Sequence, residues 1–446
     1  MRRPSLFARS RSASADRDPA QRGGLWRHRD FLSLWGAETI SQFGTQVSLL
    51  ALPLVAIIVL EESAFKVAAL TSIEFLPFLL FTLPAGVWID RLRRKPILVL
   101  GNAGRALALL SVPIAHWAGA LTIWQLYLVG FAVGVCTVFF DIAYQSYIPA
   151  LVGRGDVVEA NAKLEISRAA ANIGGPGMAG GLVALLTAPV AVLLDAASYA
   201  ISAFLLLGIR KQEEAPARAE RRSLRSELGE GLRYVFTHSY QRTMVAMTAL
   251  SNFFGQVVFS ILLVYAVREL DLSPGTIGVA LAIGNLGTLA SALTAKRIGD
   301  RLGVGRTILL ASCLFGPGTL LIAFAPEQYA LPLIVAAMIV IGFGGILYNV
   351  TAISLIQAIT PDRILGRANA SRRFVVWGVV PLGGFTGGAL ASTIGLRETM
   401  VVGALGGLLT IVPILVSPLR SVGKMSELEP LEPQSSPIAS ASSAPA

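Results

Sequence analysis

The sequence "GVWIDRLRRKP" at residues 86–96 places five charged residues in six consecutive positions, Asp90 to Lys95. Only 14% of the 446 residues are charged, so this cluster needs an explanation. The run "ALTSIEFLPFLLFTLPAGVWI" (69–89) precedes it, and "ILVLGNAGRALALLSVPIAHWAG" (97–119) follows it. Each flank is long enough to cross the hydrocarbon core of a bilayer, which takes about 20 apolar residues in a helix. The cluster therefore indicates a short turn between two membrane-spanning helices.

The composition of the whole chain agrees with this interpretation. The sequence is 54% hydrophobic and its mean hydropathy is +0.65, whereas soluble domains carry about 25% charged residues. Twelve stretches are long and apolar enough to span a membrane. They are predicted at 32–60, 67–89, 97–118, 121–144, 167–187, 189–209, 243–267, 275–295, 306–325, 329–354, 372–394 and 397–418.

The basic residues predict the orientation. If the N-terminus is cytoplasmic, 33 of the 37 Lys and Arg residues fall on the cytoplasmic side, Arg372 and Arg373 among them. Only Lys66, Arg268 and Arg397 fall outside, and Arg105 lies within the third segment. Cytoplasmic loops are enriched in Lys and Arg, so both termini are expected in the cytoplasm of a bacterial cell with the protein in its inner membrane. This bias also explains the net charge of +10 without nucleic acid as a partner.

A polar stretch divides the twelve segments six and six. We expect an Arg-rich disordered tail over 1–30, a six-helix bundle over 31–209, a cytoplasmic linker over 210–242, a second bundle over 243–418 and a Pro/Ser/Ala-rich tail over 419–446. In the linker, Leu224, Leu228, Leu232 and Val235 recur near helical spacing. They predict either a helix lying on the cytoplasmic leaflet or a solvated helical connection.

The two bundles look like copies of one unit. "GVWIDRLRRKPILVL" after the second segment matches "KRIGDRLGVGRTILL" after the eighth, with Asp90 and Asp300 210 residues apart. "EANAKLEISRAAANIGGPGMAGG" before the fifth matches "RANASRRFVVWGVVPLGGFTGG" before the eleventh, with Asn161 and Asn369 208 residues apart. A duplicated six-helix unit is typical of secondary transporters, which place their central site between the halves.

Residues 31–418 resemble the major facilitator superfamily. Its loop signature G-x-x-x-D-[RK]-x-G-[RK]-[RK] is matched at Gly86, Asp90, Arg91, Arg94 and Lys95, although Arg93 replaces the second Gly. The second copy keeps Asp300 and Arg301. The resemblance implies an all-α membrane protein with twelve transmembrane helices in two pseudo-symmetric six-helix bundles.

The resemblance also implies a role for the charged turn. In this family the turn is a latch of the outward-facing state. Asp90 is expected near the N-terminus of the eleventh helix, where a carboxylate is favoured by about 0.3–1 kcal/mol. The arginines are expected to pair with carboxylates at helix ends, with Asp141 as the candidate partner. The alternative is that these charges only enforce the orientation, which would leave Asp90 unexplained.

The fifth segment carries a second family feature. "GGPGMAGG" is similar to the G-P-x-x-G-G signature of drug and metabolite antiporters at Gly175, Pro176 and Gly180, with Ala179 replacing one Gly. The stretches "EFLPFLLFTLPAGVWIDR" and "LLDAASYAISAFLL" are similar to the enterobactin-exporter-like and macrolide-efflux-like branch. The family's embedded Arg signature of the fourth helix is absent, since 121–144 contains neither Arg nor Lys.

Ionisable residues inside the bilayer are costly and often functional. Glu38, Glu74 and Arg105 are the candidates for proton coupling or substrate contact, with a structural Glu74–Arg105 pair as the alternative; Asp141 and Asp195 are expected to be structural. Further polar and aromatic residues are candidates for the cavity, or for interhelical hydrogen bonds. They are Gln42, Thr45, Gln46, Asn252, Phe253, Gln256, Asn285, Tyr348 and Asn349.

The sequence predicts a proton-coupled exporter of a drug, siderophore or other secondary metabolite that works by alternating access. It contains no Walker A loop, so ATP is not expected to be the direct energy source, and no enzymatic constellation, metal site or cofactor is expected. We expect a monomer. Two alternatives stay open: an importer of a sugar or organic acid, and a non-transporting receptor or assembly protein with a transporter fold.

Overall fold

The computed structural model describes residues 24–423 except Asp90, Arg154, Gln212 and 214–223; a few further side chains within helices, including those of 224–228, are not described. Twelve helices in the described part are long and apolar enough to cross a membrane. They are α1 (Arg29–Leu54), α2 (Ala64–Ile89), α3 (Arg94–Trp117), α4 (Ile123–Val152), α5 (Val157–Leu186), α6 (Ala188–Leu207), α7 (Ser239–Arg268), α8 (Pro274–Leu302), α9 (Val304–Ala323), α10 (Ala330–Ile359), α11 (Asp362–Ile394) and α12 (Leu396–Leu408, followed by a short helix Ile411–Leu415). The predicted fold class is confirmed.

Two helices begin ten residues earlier than their apolar segments. α5 begins at Val157 instead of 167, and α11 begins at Asp362 instead of 372. Both extensions are polar and contain Arg or Lys, so a hydropathy window does not include them. The backbone nevertheless continues as helix, because helical hydrogen bonds satisfy its polar groups on either side of the membrane boundary.

The chain forms two compact units. Unit 1 consists of Met1–Val55 and Pro84–Ala219, and unit 2 of Ala56–Leu83 and Glu220–Ala446. In unit 1, α1 packs on α5 and α6, and α3 packs on α4 and α6. The chain before α1 also belongs to this packing, since Leu25 is buried and its amide donates to Glu159 Oε1 at 3.2 Å.

Unit 2 contains most of α2 as well as the six helices of the C-terminal half. Within it, α8 and α9 pack on α10, and α7 packs on α11 and α12. Ala68 of α2 belongs to a buried cluster with Val258, Ile261 and Ala391. A Cβ at Gly388 would lie 2.8 Å from the Cβ of Ala68, so glycine allows α2 and α11 to approach closely.

The linker helix, Leu224–Thr237, packs on protein. Tyr234 and Val235 are buried in a cluster with Ile364 and Ala368 of α11. Val235, on the apolar face of this helix, thus packs with residues of α11. The leaflet surface and the solvated connection that the sequence left open for this helix both stay predictions.

Candidate functional site

A buried polar cluster lies inside unit 1, and Glu38 is its first member. The Glu38 side chain is on α1 and the residue is 5% exposed. Gln42, one helical turn further on, donates from Nε2 to Glu38 Oε1 at 2.7 Å. Asp141 and Arg105 are both close enough to Glu38 to interact with it electrostatically. The polar spacing on α1 thus places a carboxylate among the other ionisable groups of this unit.

Arg105 on α3 lies between two aromatic rings. Its guanidinium carbon is 4.3 Å from the ring centroid of Phe140 on α4 and 4.6 Å from that of Tyr199 on α6. The residue is 5% exposed, and aromatic faces stabilise a desolvated cation in this geometry. The Tyr199 hydroxyl also forms a 2.7 Å hydrogen bond with Thr45 Oγ1. Arg105 is therefore a buried cation that three helices hold in place.

Asp195 on α6 is the second fully buried carboxylate of this cluster, with 1% exposure. Ser198 donates to its Oδ1 at 2.9 Å. The glycine at position 44 of α1 leaves the space that these two side chains occupy. Gln46, the last polar residue of the stripe on α1, donates to Asn172 Oδ1 of α5 at 2.7 Å. Two residues of the stripe predicted on α1 thus bond to neighbouring helices, Thr45 to α6 and Gln46 to α5.

Unit 2 contains a cavity of about 760 Å³, a volume that suits a drug-sized ligand. Four residues that the sequence singled out line it: Asn252 and Gln256 of α7, and Tyr348 and Asn349 of α10. Aromatic side chains from several helices add to the wall; they are Phe75, Phe259, Phe315 and Trp377.

Of the cavity residues predicted in the C-terminal half, two lie outside the lining of this cavity, and the three predicted on α1 (Gln42, Thr45 and Gln46) do not line it either. Phe253 packs edge-on against Phe254, with ring centroids 5.1 Å apart. It follows Asn252 directly, so it is rotated by about 100° from the face that Asn252 and Gln256 share. Asn285 of α8 is likewise not among the lining residues. The sequence provides the residue types but not the rotation of each helix about its axis, so it could not show that Phe253 and Asn285 face away from the cavity lining.

The cavity also contains residues that sequence reasoning assigned elsewhere. Arg372 and Arg373 of α11 line it, although the predicted segment boundary at 372 made them part of the cytoplasmic charge bias. Their spacing from Asn369, Val376 and Trp377 at i, i+3, i+4, i+7 and i+8 is the signal that could have identified one helix face.

Glu74 lies on α2 within unit 2 and is partly exposed. It is not among the cavity-lining residues, although its neighbour Phe75 is. Within the part of the chain that the structure describes, no hydrogen bond or ion pair is found for Glu74, and no ion pair within 4.0 Å is found for Arg105. The proposed roles of Glu74 in coupling or in a structural pair stay predictions.

The charged turn after α2 is held by a residue that the sequence did not single out. Glu213 Oε1 is 3.1 Å from Arg94 Nη1, and its Oε2 accepts from the backbone N–H groups of Arg94 at 2.6 Å and Lys95 at 3.3 Å. A carboxylate therefore caps the N-terminus of α3. Lys95 Nζ donates to the carbonyl oxygen of Leu207 at 3.0 Å, at the end of α6.

The other residues assigned to the latch include Asp90, Asp141, Gly86, Asp300 and Arg301, and the structure describes all of these except Asp90. Asp90 lies outside the described residues, and the pairing of Asp141 with an arginine of the turn stays a prediction. Among the described residues, no atom outside its own part of the chain lies within 4 Å of a Cβ added at Gly86. Asp300 and Arg301 are exposed at the end of α8, and the described residues show no ion pair with either.

The glycine-rich signature of α5 makes a close helix contact. A Cβ at Gly175 would lie 2.6 Å from the Cβ of Gln46 on α1, so a larger residue there would force the two helices apart. Gly180 is buried, and Pro176 lies within α5. Small residues in this segment therefore serve the packing of α1 against α5.

Twelve membrane-length helices, with buried ionisable groups in one unit and a ligand-sized cavity in the other, define a membrane transporter of the major facilitator type. Residues 25–443 match the family described as "Transmembrane secretion effector". The chain belongs to this family.

Relatives of known name support the same class. The chain is 26% identical to the multidrug efflux pump Tap of Mycolicibacterium fortuitum, over 82% of this chain and 90% of the relative. It is also 26% identical to the Tap pump of Mycobacterium tuberculosis strain H37Rv, over 84% and 90%. An uncharacterised MFS-type transporter of Bacillus subtilis, YfiS, is 22% identical over 84% and 89%.

Solved structures confirm the fold. The nucleoside transporter NupG superposes with a TM-score of 0.73 at 15% identity, covering 86% of this chain and 98% of that one. A bacterial homologue of the iron transporter ferroportin gives a TM-score of 0.66 at 18% identity, covering 87% and 98%. At such identities the likeness concerns the fold alone. The protein is a multi-pass membrane transporter, and the relatives and structural neighbours are transporters, not enzymes.

Proposed function

We propose that the protein exports small amphipathic organic compounds across the bacterial inner membrane in exchange for protons. The similarity to multidrug efflux pumps over more than four fifths of the chain supports the direction and the breadth of substrates. The cavity in unit 2, with aromatic and amide side chains, supports an organic substrate of drug size. We further propose that both termini are cytoplasmic and that the transporter works as a monomer.

The observation that carries the proton coupling is the position of Glu38. An antiporter needs a group that can gain and lose a proton during each cycle, inside the membrane and in contact with polar neighbours. Glu38 is a buried carboxylate more than two turns into α1, hydrogen-bonded to Gln42 and near Arg105 and Asp141. Charge neutralisation at Glu38 would then alter its attraction to Arg105, and with it the packing of the helices of unit 1. Glu74 is the second candidate.

Accumulation of lipophilic antibiotics and siderophores tests this proposal in a bacterial host without its own efflux pumps, with and without an uncoupler. Wild type should lower the accumulation of at least one compound, and the uncoupler should abolish the effect. Glu38→Gln keeps the volume and a hydrogen-bond acceptor but cannot release a proton, so it should abolish export as well. Glu327→Gln removes an exposed carboxylate before α10 and serves as the control.

Three results would count against the proposal. Accumulation that is lowered equally with the uncoupler present would reject proton coupling. Full export by Glu38→Gln would reject Glu38, and the same measurement on Glu74→Gln would then decide between the two carboxylates. Increased accumulation that requires the protein would indicate import instead of export.

A further inference from the structure

The cavity of unit 2 has one strongly charged wall, formed by α11. Arg372 is half-buried and Arg373 is exposed into the cavity, and both line it together with Asn369, Val376 and Trp377. They stand ten and eleven residues into the helix, about 15 Å along its axis from Asp362. These arginines therefore lie almost three turns inside α11, beyond its first turn.

No carboxylate of the described residues balances this charge. Residues 243–418 contain six acidic residues, none of which lines the cavity: Glu269, Asp271, Asp300, Glu327, Asp362 and Glu398. Glu74 of α2 does not line it either. Arg367, five residues before Arg372, is by contrast paired with Glu230 of the linker helix. The two cavity arginines thus differ from the neighbouring arginine on the same helix.

The hydrogen-bonding capacity of Arg372 is also incompletely used. Its Nε is buried without a hydrogen-bond partner among the described residues. Its Nη2 donates to Asn369 Oδ1 at 3.5 Å, a long contact. A buried cation without a counter-charge is costly, and a ligand that supplies the anion removes this cost.

The pair is not a remnant of the duplicated unit. At the offset of 208 that relates Asn161 to Asn369, the first copy has Leu164 and Glu165 where the second has Arg372 and Arg373. The cationic wall is therefore particular to the C-terminal half.

An aromatic surface lies one helical turn beyond the arginines. The Trp377 ring stacks on Phe75 and Phe78 of α2, with centroid distances of 6.2 and 6.0 Å. Guanidinium groups bind carboxylates through two parallel hydrogen bonds, and aromatic rings prefer offset-stacked or edge-on partners. We propose that the cavity binds amphipathic aromatic anions, whose acidic group pairs with Arg372 and Arg373 while the ring lies against Trp377.

This inference deepens the proposed export function, but it concerns binding and can be tested without a proton gradient. Three dansyl probes share one fluorophore and differ in charge: dansylglycine is anionic, dansylglycinamide is neutral and dansylcadaverine is cationic. Their affinities would be measured by fluorescence with the purified full-length protein in phosphatidylcholine nanodiscs. Wild type should bind dansylglycine at least tenfold more tightly than dansylglycinamide, which corresponds to about 1.4 kcal/mol.

The variants distinguish the effect of the charge at the cavity wall from the effect of the net charge of the whole protein on probe binding. Arg372→Gln with Arg373→Gln should weaken dansylglycine at least tenfold and change dansylglycinamide less than twofold. Arg372→Lys with Arg373→Lys should retain most of the preference. Arg297→Gln with Arg306→Gln removes the same net charge from exposed positions outside the cavity and should behave as wild type. Equal affinity for the three probes, or equal weakening of all three in the Gln variant, would overturn the proposal.

An anionic lipid headgroup is the other possible source of a negative charge. Repeating the titration in phosphatidylglycerol nanodiscs distinguishes the two. Undiminished binding of dansylglycine supports an aromatic anion as the ligand, whereas loss of binding would assign the arginines to lipid. A failure of uncoupler-sensitive export in cells, with the dansylglycine preference intact, would reject the proposed export function but not this binding site.

Discussion

Glu213 should contribute more than any other described residue to holding the start of α3 in place, and the contacts of its carboxylate set the size of its contribution to the free energy of unfolding. Its carboxylate accepts three hydrogen bonds from Arg94 and Lys95, and the Arg94 and Glu213 side chains are 22% and 6% exposed. Hydrogen bonds to charged groups contribute about 1.5–3 kcal/mol, and a carboxylate at a helix N-terminus adds about 0.3–1 kcal/mol. Because Arg94 is partly solvated, we expect Glu213→Gln to lower the free energy of unfolding by about 2–3 kcal/mol.

A double-mutant cycle with Arg94→Gln would isolate the pair, with unfolding followed in detergent by circular dichroism. We expect a coupling energy of about 1–2 kcal/mol between Arg94 and Glu213. The exposed pair Glu165 and Arg168 on α5, with 69% and 45% exposed side chains, is the matched control and should couple by less than about 0.5 kcal/mol. A coupling no larger than that of the control would refute the reasoning.

The same cycle with Asp141→Asn tests the pairing that the sequence predicts. If the coupling energy of Arg94 with Asp141 exceeds that with Glu213, the ion pair that stabilises the turn is formed with α4 and not with the segment after α6. A dominant Glu213 coupling would support the arrangement in the structure.

Two further pairs of substitutions test the packing, one pair in each unit. Gly387→Val would place a Cβ 2.5 Å from the backbone oxygen of Val257 on α7, so it should lower the free energy of unfolding by about 1–3 kcal/mol. Gly299→Ala, where no described atom lies within 4 Å of the added Cβ, should change the free energy of unfolding by less than about 1 kcal/mol. Equal thermal stability of the two variants would contradict a tight contact between α7 and α11. Tyr199→Phe removes the hydrogen bond to Thr45 but keeps the ring over Arg105, so it should lower the free energy of unfolding by about 1 kcal/mol. Tyr199→Leu removes both the hydrogen bond and the ring and should lower the free energy of unfolding further. An equal loss of stability in the two variants would show that the ring contributes nothing to holding Arg105.

The number and order of the helices could be predicted from the sequence. An apolar run such as 97–119 must become a helix once it enters the bilayer, since no other local structure satisfies its backbone there. The polar beginnings of α5 and α11 could not be predicted in this way, because their charged and polar residues lower the mean hydropathy below that of a membrane-spanning segment. The ten-residue extension of α11 places Arg372 and Arg373, which stood at the predicted start of the helix, almost three turns inside it.

Spacing on a single helix also predicted part of the candidate site. The recurrence of Glu38, Gln42, Thr45 and Gln46 placed them on one face of α1. Thr45 and Gln46 bond to α6 and α5, while Gln42 bonds to Glu38 on α1 itself. Asn252 and Gln256, four residues apart, both line the cavity, while Phe253 between them does not. Periodicity orders residues within a helix, but it does not say which neighbouring helix they meet.

The sequence by itself determined that this protein is a twelve-helix membrane transporter, because the transfer of an apolar segment into lipid depends on about 20 consecutive residues and on the charges at its ends. Only the tertiary structure decided that Glu213 caps α3, that Arg105 lies between Phe140 and Tyr199, and that two arginines of α11 line a cavity in which the described residues provide no counter-charge. Each of these contacts joins residues that are distant in sequence, and its energy depends on distances and burial that arise when the helices pack.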